Sequence, residues 1–221
     1  MSQVVELNWL SVKQDFETSS AIALINELQQ KVNVQSDLLG QWEGIQLPNG
    51  LDRQPVKAVH LAAVWKSVEA AEATQQSQEA QEVRKAYGQV IDINSAFPWT
   101  AYFDLAGGDF DKVASANVVF LAGSYLPADV DTAAFYQKWQ DLVCSSVITS
   151  GFIPGAHGWS VCHVNYRGGK KKVFMVVTGS DSNESCQAAT GGDERARFAE
   201  ALKEFDIHET EHACENLKKI K

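Results

Sequence analysis

The fold can be predicted from one stretch near the N-terminus, Val4-Val5-Glu6-Leu7-Asn8-Trp9-Leu10, because a similar stretch occurs much further along the chain. Both this run and Val118-Val119-Phe120-Leu121-Ala122-Gly123-Ser124 are rich in β-branched and large apolar residues, which predicts a strand at each place. Their first residues lie 114 positions apart (118 − 4), about half of the 221 residues. This spacing indicates an internal duplication.

The same order of elements is predicted after each of these strands. In the first half we expect a helix, two strands, a helix and a strand, over residues 18–32, 40–47, 56–65, 67–87 and 99–105. In the second half the corresponding segments begin at Asp131 and continue over 154–164, 173–178, 193–205 and 207–217.

Each half is therefore a β-α-β-β-α-β unit, the ferredoxin-like arrangement. The unit places both helices on one face of its sheet and leaves the other face to be covered. We expect an α+β protein in which two tandem repeats, 1–109 and 110–221, join their sheets into one pseudo-dimeric barrel.

Composition excludes several classes of protein. With 45% hydrophobic and 21% charged residues the chain is typical of a globular protein, and its net charge of −9 opposes binding to nucleic acid. The N-terminal residues do not form an export signal, and no apolar run approaches the ~18–20 residues that span a bilayer. The four cysteines lack short paired spacings, so we expect reduced thiols in a cytoplasmic protein.

Short motifs at the strand ends resemble the antibiotic-biosynthesis-monooxygenase-like group of the dimeric α/β-barrel superfamily. They are Gly40-Gln41-Trp42, Val64-Trp65-Lys66-Ser67 followed by Glu69-Ala70, and more weakly Pro154-Gly155 and Thr178-Gly179-Ser180. Members usually form the barrel by dimerisation, so this chain resembles a fused pair, a form associated with fungal sequences. The resemblance implies a ligand in the barrel or between sheet and helices, but fold alone does not select the chemistry.

The resemblance can be carried over residue by residue. Haem-degrading members use an Asn on the first strand with a Trp and a His on the second helix; Asn8 fits, but the helix predicted over 67–87 has neither, so haem cleavage is not expected. In the oxygenases a Trp at the end of the third strand lines the substrate cavity, and Trp65 matches it while the second copy has Thr178. Trp42 is a further pocket candidate. For all of these tryptophans the alternative is core packing.

Alternation places His157, Trp159 and His163 on one face of a predicted strand. We expect that face to line the barrel interior, where His157 or His163 would serve as general acid or base, Trp159 would shape the pocket, and Asn8 would orient a substrate oxygen. The small residues of the opposite face are expected to pack against helices.

The run His208-Glu209-Thr210-Glu211-His212 matches the H-E-x-x-H metal motif. On a helix His208 and His212 would lie one turn apart and could bind zinc. The repeat predicts a strand here instead, so both histidines are only weak candidates for metal ligands. No nucleotide-binding motif is present, and we expect no cofactor.

These observations favour a small-molecule enzyme of secondary metabolism. Its substrate would be hydrophobic or aromatic, polyketide- or terpenoid-like, and the reaction an oxygenation, cyclisation or isomerisation without cofactor. The alternatives are a non-catalytic ligand-binding or stress-response barrel and, less favoured, a metal-dependent enzyme using His208 and His212. A ligand site should enclose ~300–1,000 Å³, whereas a barrel plugged by its own side chains should not. The protein is expected to be a monomeric pseudo-dimer or a homodimer.

Overall fold

The computed structural model describes residues 3–31, 35–46, 57–92, 99–145, 152–166, 168–185 and 193–221. The strands in these ranges are β1 Val4–Ser11, β2 Leu38–Gln46, β3 Ala58–Trp65, β4 Trp99–Asp104, β5 Val118–Pro127, β6 Phe152–Ser160, β7 Val164–Tyr166, β8 Gly169–Ser180 and β9 His208–Lys219. The helices are α1 Thr18–Gln29, α2 Val68–Gln75, α3 Gln78–Tyr87, α4 Phe110–Ala114, α5 Thr132–Ser145 and α6 Asp193–Leu202.

Eight of the strands close into a barrel. The first repeat contributes the order β2-β3-β1-β4, the second contributes β9-β5-β8-β6, and the repeats join through the pairs β2–β9 and β4–β6. All of these pairs are antiparallel, and the short strand β7 adds to the edge of β8. The predicted α+β pseudo-dimeric barrel is therefore confirmed.

The barrel interior is filled by apolar side chains. Trp42, on β2, is 2% exposed and meets the ring of Phe110 edge-on, with the ring centroids 5.3 Å apart. Phe110 opens α4, a short helix that the sequence pattern did not predict. The cavity beside Phe110, which Leu7, Val119 and Met175 also line, measures about 20 Å³, the space of a single water molecule. This volume is far below the ~300–1,000 Å³ of small-molecule sites.

The predicted helix over residues 67–87 is two helices, α2 and α3. Each begins at a serine whose hydroxyl oxygen accepts a hydrogen bond from the amide three residues on: Ser67 from Ala70 at 3.2 Å and Ser77 from Ala80 at 3.1 Å. Serine is a strong N-cap, so Ser77 starts a new helix inside a segment of high helix propensity. None of the helices in the described ranges is long and apolar enough to cross a membrane.

The small residues on one face of β6 lie on the barrel side of the sheet, and the helix that this strand meets there is α4, whose Phe110 and Val113 share the core with Ala156. Ala156 belongs to the barrel core, and Gly158 lies against β4 at the junction of the two repeats. A Cβ atom at Gly158 would lie 1.7 Å from the carbonyl oxygen of Asp104. The absence of a side chain at Gly158 therefore permits the close approach of two backbones.

We expect the substitution Gly158→Ala to lower the free energy of unfolding by about 1–3 kcal/mol, because β4 must move away from the added methyl group. Urea denaturation followed by circular dichroism measures the change. Gly169→Ala is the matched control, since the nearest atom to its added Cβ is 3.9 Å away. Equal stabilities of the two variants would contradict this account of the junction.

Candidate functional site

A cavity of about 310 Å³ lies between the outer face of the first repeat's sheet and its helices. Alternation along β1 creates this face, because Glu6, Asn8 and Leu10 point outward while Val5 and Leu7 point into the barrel. The polar lining residues are Glu6, Asn8, Gln29, Gln41, Thr74, Gln75, Arg84, Tyr87 and Thr100. The apolar lining residues are Leu10, Leu38, Leu61, Ala63, Trp65, Ala80, Val83 and Ile91.

Glu6 is the centre of the polar lining. Its carboxylate is 6% exposed and accepts three hydrogen bonds: from the Trp65 indole nitrogen at 2.8 Å, and from the side-chain amides of Asn8 and Gln75 at 3.0 Å each. A carboxylate offers about four lone-pair positions. The three donors therefore hold the group in one orientation and leave roughly one position for a ligand.

Burial raises the pKa of Glu6 above its ordinary value of 4.5, and this effect exceeds the lowering by its hydrogen-bond donors and by the charge of Arg84. The amide of Gln75 also donates to the hydroxyl oxygen of Tyr102, at 2.7 Å. Burial, with Glu6 nearby, raises the pKa of Tyr102, so this hydroxyl stays protonated at neutral pH. The site is a carboxylate of increased basicity within a fixed shell of donors.

A second polar group lies on the same cavity wall. The amide of Gln41 donates to the side-chain oxygen of Gln29 at 2.5 Å, and Gln29 in turn donates to the hydroxyl oxygen of Tyr87. Beside them Glu43 accepts from Asn26 at 2.6 Å. Three elements, α1, β2 and α3, therefore meet through hydrogen-bonded side chains.

The structure brings two of the predicted site residues together. Trp65 and Asn8 both line the cavity, and both donate to Glu6. Asn8 also accepts a hydrogen bond from Thr100. Trp42 does not share this cavity, because its strand position turns the indole ring into the barrel core. Of the three predicted pocket tryptophans, Trp65 therefore lines the cavity.

His157 and Trp159 face the helices of the second repeat, and the prediction that they line the barrel interior is wrong. Because Ala156 points inward, the residues on either side of it point outward. The His157 ring nitrogen lies 3.0 Å from the Tyr136 hydroxyl oxygen, and the His157 ring lies 4.7 Å from that of Trp139. Burial lowers the pKa of His157, which favours the neutral imidazole.

His163 lies apart from these groups. Strand β6 ends at Ser160, so the predicted alternation does not extend to His163, which is exposed. Its ring nitrogen is 3.2 Å from the backbone oxygen of Ala128. Neither this histidine nor His157 lines the cavity of the first repeat.

The H-E-x-x-H run lies on strand β9, as the repeat predicted, and not on a helix. Four residues on a strand span about 13 Å, so positions 208 and 212 do not have the one-turn spacing that the helical metal motif requires. The His208 ring lies 5.0 Å from that of Tyr166, and the side chain of His212 is outside the described residues. Within the described part of the chain no cluster of three or more His, Cys, Asp or Glu side chains could hold a metal ion.

The second repeat lacks the corresponding carboxylate. In the first repeat Val4 is paired with Trp65, and in the second Val118 is paired with Ser180. Because Val4 and Val118 correspond, the counterpart of Trp65 is Ser180 and not Thr178, as the sequence alone had indicated. The same match makes Phe120 the counterpart of Glu6 (6 + 114). Between this sheet and its helices lies an aromatic cluster that includes Phe135, Trp159 and Phe174.

Four polar residues of the cavity were not predicted as site residues from the sequence: Glu6, Gln41, Gln75 and Tyr87. One signal was present for Glu6, because an acidic residue inside a buried apolar strand is unusual without a function or a partner. The other three had no signal, since glutamine and tyrosine are common on helices and strands. Their roles depend on which helix faces meet the sheet.

Comparison with known proteins gives similarity at the level of structure. No protein-family model matches the chain, and no curated protein matches it. An anthrone oxidase-like protein superposes with a TM-score of 0.68 at 11% identity, over 99% of this chain and 93% of the other. A candidate monooxygenase from Fusobacterium nucleatum superposes with a TM-score of 0.59 at 14% identity, over 99% and 94%.

A candidate chlorite dismutase also superposes, with a TM-score of 0.56 at 9% identity, over 97% of this chain and 95% of the other. Because the match to the Fusobacterium protein spans nearly all of both chains, the two-repeat arrangement is also found in a bacterial protein. The chain therefore shares the fold of these proteins, a closed α/β barrel whose two halves are here supplied by one polypeptide.

Proposed function

We propose that the cavity of the first repeat is the active site of an oxygenase that needs no cofactor and acts on a fused-ring aromatic metabolite with an acidic C–H bond. The observation that carries this proposal is Glu6, a buried carboxylate with a raised pKa in a largely apolar cavity. An anthrone, as in the name of one structural neighbour, is a molecule of the proposed class. Such aromatic intermediates belong to secondary metabolism.

The first chemical step is proton transfer. Glu6 takes a proton from the substrate carbon through its remaining lone-pair position, and its raised pKa makes it a stronger base than an exposed carboxylate. The resulting carbanion is delocalised onto a substrate oxygen. Arg84 is the cationic side chain among the described lining residues, and its charge favours this anion.

The second step is reaction with molecular oxygen. The substrate anion gives an electron to O₂, and the two radicals combine to a peroxide that takes up the proton from Glu6. Loss of water then leaves a carbonyl, so that R₂CH₂ and O₂ become R₂C=O and H₂O. The carbon is oxidised by four electrons and the oxygen molecule is reduced by four. Trp65 and the leucines of the sheet form one apolar wall of the cavity, against which the planar substrate would pack.

The volumes support a ligand site outside the barrel. The cavity of about 310 Å³ is at the lower end of the range for small-molecule sites, whereas the barrel interior has about 20 Å³. A non-catalytic barrel plugged by its own side chains accounts for the interior and not for the outer cavity. Cyclisation or isomerisation would use the same proton transfer without oxygen.

The test measures oxygen uptake by the purified protein with anthrone as substrate. We expect one O₂ to be consumed for each anthraquinone formed, at a rate above that of the heat-denatured protein. A second measurement, without oxygen, follows exchange of the anthrone C–H for solvent deuterium. Exchange without oxygen uptake in air would favour an isomerase or cyclase, and the absence of both reactions across a panel of anthrones and hydroxynaphthalenes would exclude the proposal.

A further inference from the structure

The side chains of Gln41 and Tyr87 leave two hydrogen-bonding functions unused on the cavity wall. Gln41 is 4% exposed, and its Oε1 atom is buried without a hydrogen-bond partner among the described residues. Tyr87 accepts from Gln29, which leaves its phenolic hydrogen free to be donated. A buried acceptor without a partner is unfavourable, so a ligand that supplies a hydrogen-bond donor to this atom gains affinity by relieving that cost.

These groups lie at a fixed distance from Glu6. Ala63 on β3 is directly opposite Glu6 on β1 and directly opposite Gln41 on β2, so the three residues form one row across the sheet. Two steps between neighbouring strands separate the backbones of Glu6 and Gln41 by about 10 Å. The methyl side chain of Ala63 leaves space between the two longer side chains. This distance is comparable with the length of a fused-ring aromatic molecule.

Charge at this end of the cavity selects against an anion. Glu43 lies beside the Gln41 group, and Glu6 is at the other end of the row. Burial, with these two carboxylates, raises the pKa of Tyr87, so its hydroxyl remains a neutral donor. A carboxylate on the ligand would be repelled here. A hydroxyl, which both donates and accepts, complements the Gln41 oxygen and the Tyr87 hydrogen.

We propose that Gln41 and Tyr87 recognise a neutral hydroxyl group on the outer ring of the substrate that lies farther from Glu6. This inference rests on the proposed function and adds the substituent that distinguishes one aromatic substrate from another. The Gln41 Oε1 atom is covered in the present side-chain arrangement. Rotation of its amide would turn that atom toward a donor on the ligand and would exchange for this new bond the one that the amide now donates to Gln29.

The experiment measures binding by calorimetry without oxygen, so that no turnover occurs. The three probes are anthrone, anthrone with a hydroxyl group on an outer ring, and anthrone with a carboxylate at the same ring position. We expect the hydroxyl compound to bind the natural protein about tenfold more tightly than anthrone, and the carboxylate compound to bind more weakly than the hydroxyl compound.

Two variants and a control distinguish a loss of hydroxyl recognition from a loss of folding. Gln41→Leu and Tyr87→Phe are each expected to reduce the tenfold preference, taken as the ratio of the two affinities of the same variant, to less than about threefold. Two variants are used because Gln41 is buried, and Tyr87→Phe removes only the hydroxyl group. Gln30→Leu is the control: Gln30 is exposed on the outer side of the C-terminus of α1, and the preference should be unchanged.

The outcomes distinguish this inference from the proposed function. If anthrone binds and is oxidised but the hydroxyl group gives no advantage, or both variants keep the full preference, the recognition role is excluded and the proposed function stands. If the carboxylate compound binds more tightly than the hydroxyl compound, the proposed repulsion of an anion is excluded, and the proposed preference for a hydroxyl group is excluded with it. If none of the three probes binds the natural protein, the proposed function and this inference fail together.

Discussion

Replacing Glu6 by glutamine is expected to lower the turnover rate of the proposed oxygenation by about a hundredfold to ten thousandfold, the usual contribution of a positioned general base. Glutamine has nearly the same shape, so the cavity and its apolar wall are retained. It has no basic site, and proton transfer from the substrate carbon would then depend on water. Oxygen uptake at saturating anthrone measures the change as a fall in kcat.

The matched control is Glu43→Gln. Glu43 is also a buried carboxylate on a central strand, it accepts from an asparagine as Glu6 does, and burial raises its pKa too, but it does not line the cavity. We expect this variant to retain kcat within about threefold, since removing a group that contacts no reacting atom leaves the barrier nearly unchanged. Equal losses in both variants would mean that Glu6 acts through the fold and is not the base.

The pH dependence of stability should identify Glu6 independently of any substrate. Below pH 4.5 the group is protonated in the folded and the unfolded chain. As the pH rises from there to the raised pKa, the unfolded chain loses its proton first, so the free energy of unfolding falls by up to about 1.4 kcal/mol per pH unit. Above the raised pKa both states are deprotonated, and Glu6 causes no further fall in the free energy of unfolding. The Glu6→Gln variant lacks this loss.

Urea denaturation at a series of pH values measures this difference. We expect the variant to gain stability relative to the natural protein as the pH rises through that window, and the difference to level off above it. The contribution of Glu43 is common to both proteins and cancels. Glu27→Gln, at an exposed position on α1, is the control and should give no such trend. A pH-independent difference for Glu6→Gln would show that Glu6 titrates as an ordinary carboxylate.

The fold could be predicted because the repeated order of elements and the alternation of apolar residues along strands are both visible in the sequence. The two apolar strands 114 residues apart fixed the number of repeats, and their order fixed the ferredoxin-like unit. The division of the helix between α2 and α3 was not predicted, since propensity over 67–87 is high and a single serine, Ser77, determines where the second helix begins. That division matters because α2 supplies Gln75 and α3 supplies Tyr87 to the cavity.

The site was predicted only in part, for a physical reason. Alternation shows which residues share a face of a strand, but both faces of this sheet are buried, one by the barrel and one by helices. Composition therefore did not indicate which face of β6 was inward, and His157 was assigned to the wrong one. Trp65 and Asn8 were found through the resemblance. The partner that joins them, Glu6, became evident when the indole and amide groups were seen to donate to it.

Joining both halves of the barrel in one polypeptide has a consequence for how the protein can evolve. In a dimer of identical chains every mutation appears twice, so neither copy of a pocket can be given up without losing the other. Here the strand pairs β2–β9 and β4–β6 join two halves of different sequence. A substitution therefore changes one half of the barrel and leaves the other as it was. In this chain Phe135 and Phe174 pack between the sheet and the helices of the second repeat, whereas the first repeat has its cavity at that place.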